Sequence, residues 1–179
     1  VVVAHADTIV WYENNGDGSS WNATNIDTGA NSAQAVQLAD LDGDGDLDVV
    51  HTSRANSEIA WHENTNGDGS SWTENSLRSA APLDGESEIA IADIDGDGDL
   101  DIVALDNGTN RRLNVYLLLN DNGDASSFTA VNVADKSTGG SSSYAVQVAD
   151  MDGDGDIDIV TACSETDSIF WHENDGEAN

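Results

Sequence analysis

Basic residues are scarce in this chain. Arg54, Arg78, Arg111, Arg112 and Lys136 stand against 35 aspartates and glutamates, leaving a formal net charge of −30. Such a chain repels phosphate backbones and anionic lipid surfaces and attracts cations, which argues against nucleic-acid binding and membrane insertion. A single cysteine, Cys163, excludes an internal disulfide framework and is expected as a packed thiol at a strand end. No run of 18 apolar residues exists, so no segment reads as a transmembrane helix. One proline against 17 glycines leaves the turns to Gly, Asn and Asp. No stretch carries a useful helical period, which leaves strands. No secretory leader is visible, although a mature chain starting at Val1 would have lost one.

The acids are not gathered in a tail. They recur as "DLDGDGDLD" (Asp40–Asp48), "DIDGDGDLD" (Asp93–Asp101) and "DMDGDGDID" (Asp150–Asp158), so one motif begins at 40, 93 and 150. The surroundings repeat with it. "TIVWYENNGDGSSW" (Thr8–Trp21) returns as "EIAWHENTNGDGSSW" (Glu58–Trp72). It returns again, degenerate, as "LNVYLLLNDNGDASSF" (Leu113–Phe128), and is cut short as "SIFWHENDGEAN" (Ser168–Asn179). In the degenerate copy Leu117 takes the place of Trp61, and Phe128 that of Trp72.

Each unit reads as four short strands. Strand A (Ala35–Ala39, Ile89–Ala92, Ala145–Ala149) leads into the aspartate loop, and strand B (Asp48–Thr52, Asp101–Leu105, Asp158–Ala162) leaves it. Strand C carries alternating Ile9/Trp11, Ile59/Trp61, Val115/Leu117 and Ile169/Trp171, and an Asn-Gly or Asp-Gly turn opens strand D at Trp21, Trp72 or Phe128. Period-two alternation with β-branched and aromatic residues supports strands throughout. Four antiparallel strands repeated about every 50–57 residues predict an all-β chain: a β-propeller segment of about 3.5 four-stranded blades. It divides as a partial blade over 1–32, blades over 33–86 and 87–143, and a partial blade over 144–179. The partial blades leave strand edges that self-association or neighbouring domains would complete.

Within each loop, carboxylates fall at positions 1, 3, 5, 7 and 9: Asp40, Asp42, Asp44, Asp46 and Asp48; Asp93, Asp95, Asp97, Asp99 and Asp101; Asp150, Asp152, Asp154, Asp156 and Asp158. Position 7 can also offer its backbone carbonyl. Gly45 at position 6 allows a sharp turn, and Leu47 at position 8 is expected to turn inward and pin the loop. A hard cation that takes six to eight oxygens suits this set, and Ca²⁺ suits it better than the rigid octahedral Mg²⁺. No thiolate or histidine is placed in the loops to select zinc or copper. A solvated acidic turn is the plainer alternative, but repelling carboxylates written three times over favour a neutralising ion. An EF-hand needs Glu at position 12 and flanking helices. Position 12 here is His51, Ala104 or Thr161 and the flanks are strands.

The pattern D-x-D-G-D-G-x-x-D between two strands, with "WHEN" on the third strand, resembles the FG-GAP/VCBS repeats of integrin-alpha-like β-propellers. The resemblance spans nearly the whole chain. It implies Ca²⁺ at three sites on the fifteen aspartates above, and a secreted, extracellular or cell-surface module for adhesion, protein interaction or structural assembly. It also implies a protein or glycan ligand on the face opposite the calcium loops, around Arg54–Ser57, Ser79–Gly85, Asn107–Arg112 and Lys136–Ser143; solvated loops are the plainer alternative. A lectin-type propeller stacking sugars on exposed aromatics is the alternative function.

No catalytic set can be assembled from spacing, so no enzyme activity is expected. His62 and His172, replaced by Tyr12 in the first unit, are expected at the surface or between blades, with metal or acid/base work the lesser alternative. Trp11, Trp61, Trp171, Trp21 and Trp72 are expected to form core. The sequons at Asn22 and Asn107 permit glycosylation without indicating it.

Overall fold

A computed structural model describes residues 1–77, 87–107, 113–136, 143–163 and 167–176. These residues hold no helix and fourteen strands. The first sheet is β1 (Val2–His5), β2 (Thr8–Asn14) and β3 (Trp21–Asp27). The second is β4 (Ala33–Ala39), β5 (Asp48–Ser53), β6 (Glu58–Glu63) and β7 (Thr73–Ser76). The third is β8 (Ser87–Ala92), β9 (Asp101–Asn107), β10 (Leu113–Asn120) and β11 (Phe128–Lys136). The fourth is β12 (Ser143–Ala149), β13 (Asp158–Cys163) and β14 (Ser168–His172). Every pairing is antiparallel between neighbours in sequence. The sheets thus hold three, four, four and three strands, an all-β arrangement compatible with consecutive propeller blades.

Sheets stack in chain order: β1 lies against β4, β4 against β8, and β8 against β12. Strand β5 is therefore buried along its whole length, because both of its faces are covered. Alternation sorts its residues. Val49 and His51 face the first sheet together with Ala60 and His62, while Val50 faces the third with Ile59 and Trp61.

Three apolar clusters join the sheets. Between the second and third, eleven buried residues include Leu41, Ile59, Trp61, Ile89, Ile102 and Leu118. Between the third and fourth, nine include Ile94, Val103, Leu105, Val115 and Cys163. Between the first and second, Ile9, Ala30 and Val49 form the buried cluster, with partly buried Val2, Ile26, Val36 and Trp72 around them. Each fully buried Ile or Leu contributes about 1.5–3 kcal/mol, so the first junction is the least supported by apolar burial.

Two expectations need correction. Leu47 does not turn inward: it is 58% exposed, and Leu41 at position 2 is the residue that enters the core, at 1%. The cause is the neighbouring sheet: Leu41 packs into the second–third junction, whereas Met151, whose N–H is bound by Asp158 as that of Leu41 is by Asp48, stays 56% exposed with no following sheet among the described residues. The tryptophans do not all form core either. Trp61 is buried, Trp72 is partly so, but Trp21 and Trp171 stay about half exposed. Trp171 lies on the same sheet face as Trp61, which packs on a following sheet; Trp171 has no such sheet against it among the described residues. The expected partner loops at 79–85, 107–112 and 136–143 lie outside the described residues, apart from the strand residues Asn107, Lys136 and Ser143. No helix among the described residues is long and apolar enough to cross a membrane.

Candidate metal centres

The first aspartate loop is built on carboxylate-to-backbone bonds. Asp40 Oδ2 accepts from the Gly45 N–H (3.0 Å), Asp42 Oδ1 from Asp44 (3.2 Å) and Asp44 Oδ1 from Asp46 (2.9 Å). Asp48, at the head of β5, accepts from Leu41 (3.1 Å) through one oxygen and from Asn64 (2.9 Å) through the other. Gly43 and Gly45 take φ of +73° and +99°, a region where a Cβ is strained, and so let the chain reverse tightly.

The other loops repeat this wiring. Asp93 accepts from Gly96 and Gly98, Asp95 from Asp97, Asp97 from Asp99, and Asp101 from Ile94 and Asn120. Asp150 accepts from Gly153 and Gly155, Asp152 from Asp154, Asp154 from Asp156, and Asp158 from Met151 and Asn174.

In each loop, positions 1, 3 and 9 bring one carboxylate oxygen apiece within 4.8 Å of the others: Asp40, Asp42 and Asp48; Asp93, Asp95 and Asp101; Asp150, Asp152 and Asp158. At that spacing and an effective dielectric of about 40, each charged pair repels by roughly 1.7 kcal/mol. Positions 5 and 7 lie outside these triples. Asp44, Asp97 and Asp154 each accept the N–H two residues on, and Asp46, Asp99 and Asp156 lie against Gly67, Gly123 and Gly176 of the hairpin turn between the third and fourth strands of the unit. The aspartate loops and those turns therefore share one end of the stack.

The residues present fit a hard cation. The donors are all oxygen. Asp40 Oδ1 is buried with no hydrogen-bond partner, an oxygen that a cation at the triple would satisfy. Burial raises the carboxyls of Asp48 and Asp101 above the usual range, against the pull of the backbone N–H groups they accept. Asp42, Asp95 and Asp152 are also raised, first by burial and then by neighbouring aspartates. Asp158 is lowered, because the N–H of Asn174 outweighs burial in the terminal sheet. An ion at each triple would be held by these three residues and would cancel their repulsion.

Sequence reasoning missed the asparagine that ends each "WHEN"-like stretch. The N–H groups of Asn64, Asn120 and Asn174 anchor the position-9 aspartates, and the side chains of the last two tie units together. Asn120 donates from Nδ2 to the Leu41 carbonyl in the preceding loop (3.0 Å), and Asn174 donates likewise to the Ile94 carbonyl (2.8 Å). Asn64, Asn120 and Asn174 also accept from the hairpin turn through Oδ1, from Gly69, Ala125 and Gly176. The signal was visible in "EN-T-N-G-D-G" and "LN-D-N-G-D", an asparagine at fixed distance before each turn.

His62 lies between the first and second sheets, 2% exposed, beside His51. His172 pairs with Thr161 (3.3 Å). Arg54 and Ser57 lie at the opposite end of the second sheet, in the turn between β5 and β6.

The model of a family described as an FG-GAP-like repeat matches the chain three times, over residues 1–51, 40–104 and 93–161. Successive matches overlap on the first two aspartate loops, so each of these closes one match and opens the next, and the third loop lies at the end of the last match. No curated protein matches the chain.

Proposed function

The chain belongs to the FG-GAP-like repeat family, and from that premise we propose that it is a non-enzymatic, calcium-stabilised β-propeller segment serving adhesion or protein interaction outside the cell. The observation that carries this reading is the oxygen-only triple, built alike in three loops, with a buried Asp40 oxygen left for a ligand. Calcium suits carboxylates held at these spacings in a loop that can adapt to it. With a dissociation constant about 100-fold below ambient calcium, each site adds about 2.7 kcal/mol, and three add roughly 8 kcal/mol, comparable to the stability of a whole domain. An extracellular setting, with plentiful calcium, supports that occupancy. A partner would approach the end away from the acidic loops, where Arg54 lies in the turn between β5 and β6.

Calorimetric titration with Ca²⁺ tests the reading. About three equivalents bound with a large rise in melting temperature support it; no uptake and an unchanged melt in excess chelator refute it. A second reading, glycan recognition, draws on the groove of about 240 Å³ lined by Trp11, Trp72, Leu38, Leu47 and Asn64. Indole faces beside polar groups suit a sugar ring, and a glycan array separates the two readings.

A further inference from the structure

We propose a second kind of metal site, for a borderline divalent ion such as Zn²⁺, formed by Asp27, His51 and His62 where the first sheet meets the second. His51 and His62 are diagonal neighbours on one face of the second sheet, and Asp27 reaches them from the end of β3 in the first. Their ligand atoms converge: Nε2 to Nε2 is 3.0 Å, and Asp27 Oδ2 lies 3.6 Å from His51 Nε2 and 3.9 Å from His62 Nε2. The point equidistant from all three, in their plane, is about 2.1 Å from each, which is the bond length zinc makes to imidazole nitrogen and carboxylate oxygen.

An imidazole–imidazole hydrogen bond alone accounts for the two nitrogens but not for the carboxylate. Asp27 Oδ2 is beyond hydrogen-bond reach of either ring, while its Oδ1 is fixed by the Gly29 N–H at 2.7 Å. The carboxylate is thus oriented with one oxygen turned to both rings. The Ser53 hydroxyl meets His51 Nδ1 at 3.2 Å, the outer contact that fixes a ligating imidazole and leaves Nε2 free. Burial, chiefly, holds both imidazoles below their ordinary pKa, which keeps them in the neutral form that binds metal. Glu74, opposite His62 in the register, and Glu58, on the same face of β6, both act on the group and are candidates for a fourth ligand besides water.

Among the described residues the site occurs once. The residues that take the places of His51 and His62 in the third sheet are Ala104 and Leu118, both fully buried in apolar contact, and in the fourth they are Thr161 and His172. The junction that carries the histidines has the smallest buried apolar cluster among the described residues, three residues against eleven and nine at the others. An ion here clasps the least supported junction, and its two-nitrogen, one-oxygen donor set differs from the oxygen-only loops and selects a different metal.

The test is calorimetric titration of the full chain with Zn²⁺ in saturating Ca²⁺, alongside H51A/H62L, which copies the pair of the third sheet, and D27N. The wild type is expected to take up one further equivalent at submicromolar affinity, with a melting temperature raised by roughly 5–10 °C. The double variant should lose that uptake, and D27N should weaken it at least tenfold, while both keep their calcium response. Co²⁺ on the wild type should give the intense visible bands of a tetrahedral ion, a readout that needs no variant to fold. No zinc uptake above calcium, uptake undiminished in both variants, or only the weak bands of an octahedral Co²⁺ ion would each overturn the proposal.

Discussion

Replacing Asp101 with asparagine separates the two tasks that its carboxylate performs. Asp101 is 1% exposed, and its oxygens accept from the Ile94 and Asn120 N–H groups, both at 2.9 Å. Asparagine keeps one acceptor and turns an NH2 toward the other N–H, which leaves a buried donor unpaired at about 1–3 kcal/mol. That cost is present with or without metal. Neutralising the residue also removes one of the three convergent oxygens beside Asp93 and Asp95, and with it about 2.7 kcal/mol of binding at a calcium concentration 100-fold above the dissociation constant. In calcium the variant should therefore lose about 4–6 kcal/mol, a fall in melting temperature of roughly 10–20 °C for a domain of this size. In excess chelator the loss should shrink to the hydrogen-bond part or less, because a buried charge raised by desolvation is gone. Paired calorimetric melts of wild type and D101N, in calcium and in chelator, give the difference directly. An equal fall in both buffers would show that Asp101 is a structural acceptor only, and the reasoning from ion to loop would fail.

Three further outcomes follow from the same geometry. Asn120→Ala should cost about 2–4 kcal/mol, since it strips partners from the Leu41 carbonyl and the Ala125 N–H; faster hydrogen exchange at the Ala125 amide locates the loss, and an unchanged rate there contradicts it. Gly69→Ala should cost about 2–4 kcal/mol, because φ is +72° and a Cβ would run into the Trp11 ring; a neutral melt would refute that packing. For pH, Asp42, Asp48, Asp95, Asp101 and Asp152 have folded pKa values raised above their unfolded ones. The metal-free folded protein then holds protons that the unfolded chain has released, so its stability should rise as pH falls through the raised folded pKa values toward the unfolded carboxylate value of about 3.9, and decline as pH climbs back through them. Asp158, lowered by its N–H donors, opposes this trend. With calcium saturating, protons compete with the ion and the slope should reverse; melts at two pH values in each buffer check both signs.

The strand order and the aspartate loops were legible because both are periodic. Alternation at Ile59/Trp61 and Val115/Leu117 needs no knowledge of neighbours to be read as strand, and a motif written three times stands out against any background. What was not legible depends on contacts between units. Leu47 and Leu41 are equally apolar, and only the neighbouring third sheet, against which Leu41 packs, decides which one turns in; Met151, held by the same bond in the last loop, stays exposed. Trp61 and Trp171 share a sequence context but not a neighbouring sheet, so their exposure differs. Asn120 looks like a turn residue until its side chain is seen crossing to Leu41. The Asp27, His51 and His62 group breaks the repeat. Its members come from two units, and the third sheet has the ordinary core residues Ala104 and Leu118 in place of the two histidines, so a reading that looks for recurrence passes over it.

The central claim is that cations seated among the convergent aspartates hold these loops together. A crystal structure grown in calcium, with anomalous scattering measured, examines it most directly. Three peaks are predicted, one each among Asp40, Asp42 and Asp48, among Asp93, Asp95 and Asp101, and among Asp150, Asp152 and Asp158. Well-ordered loops with no peak at any of the three would contradict it.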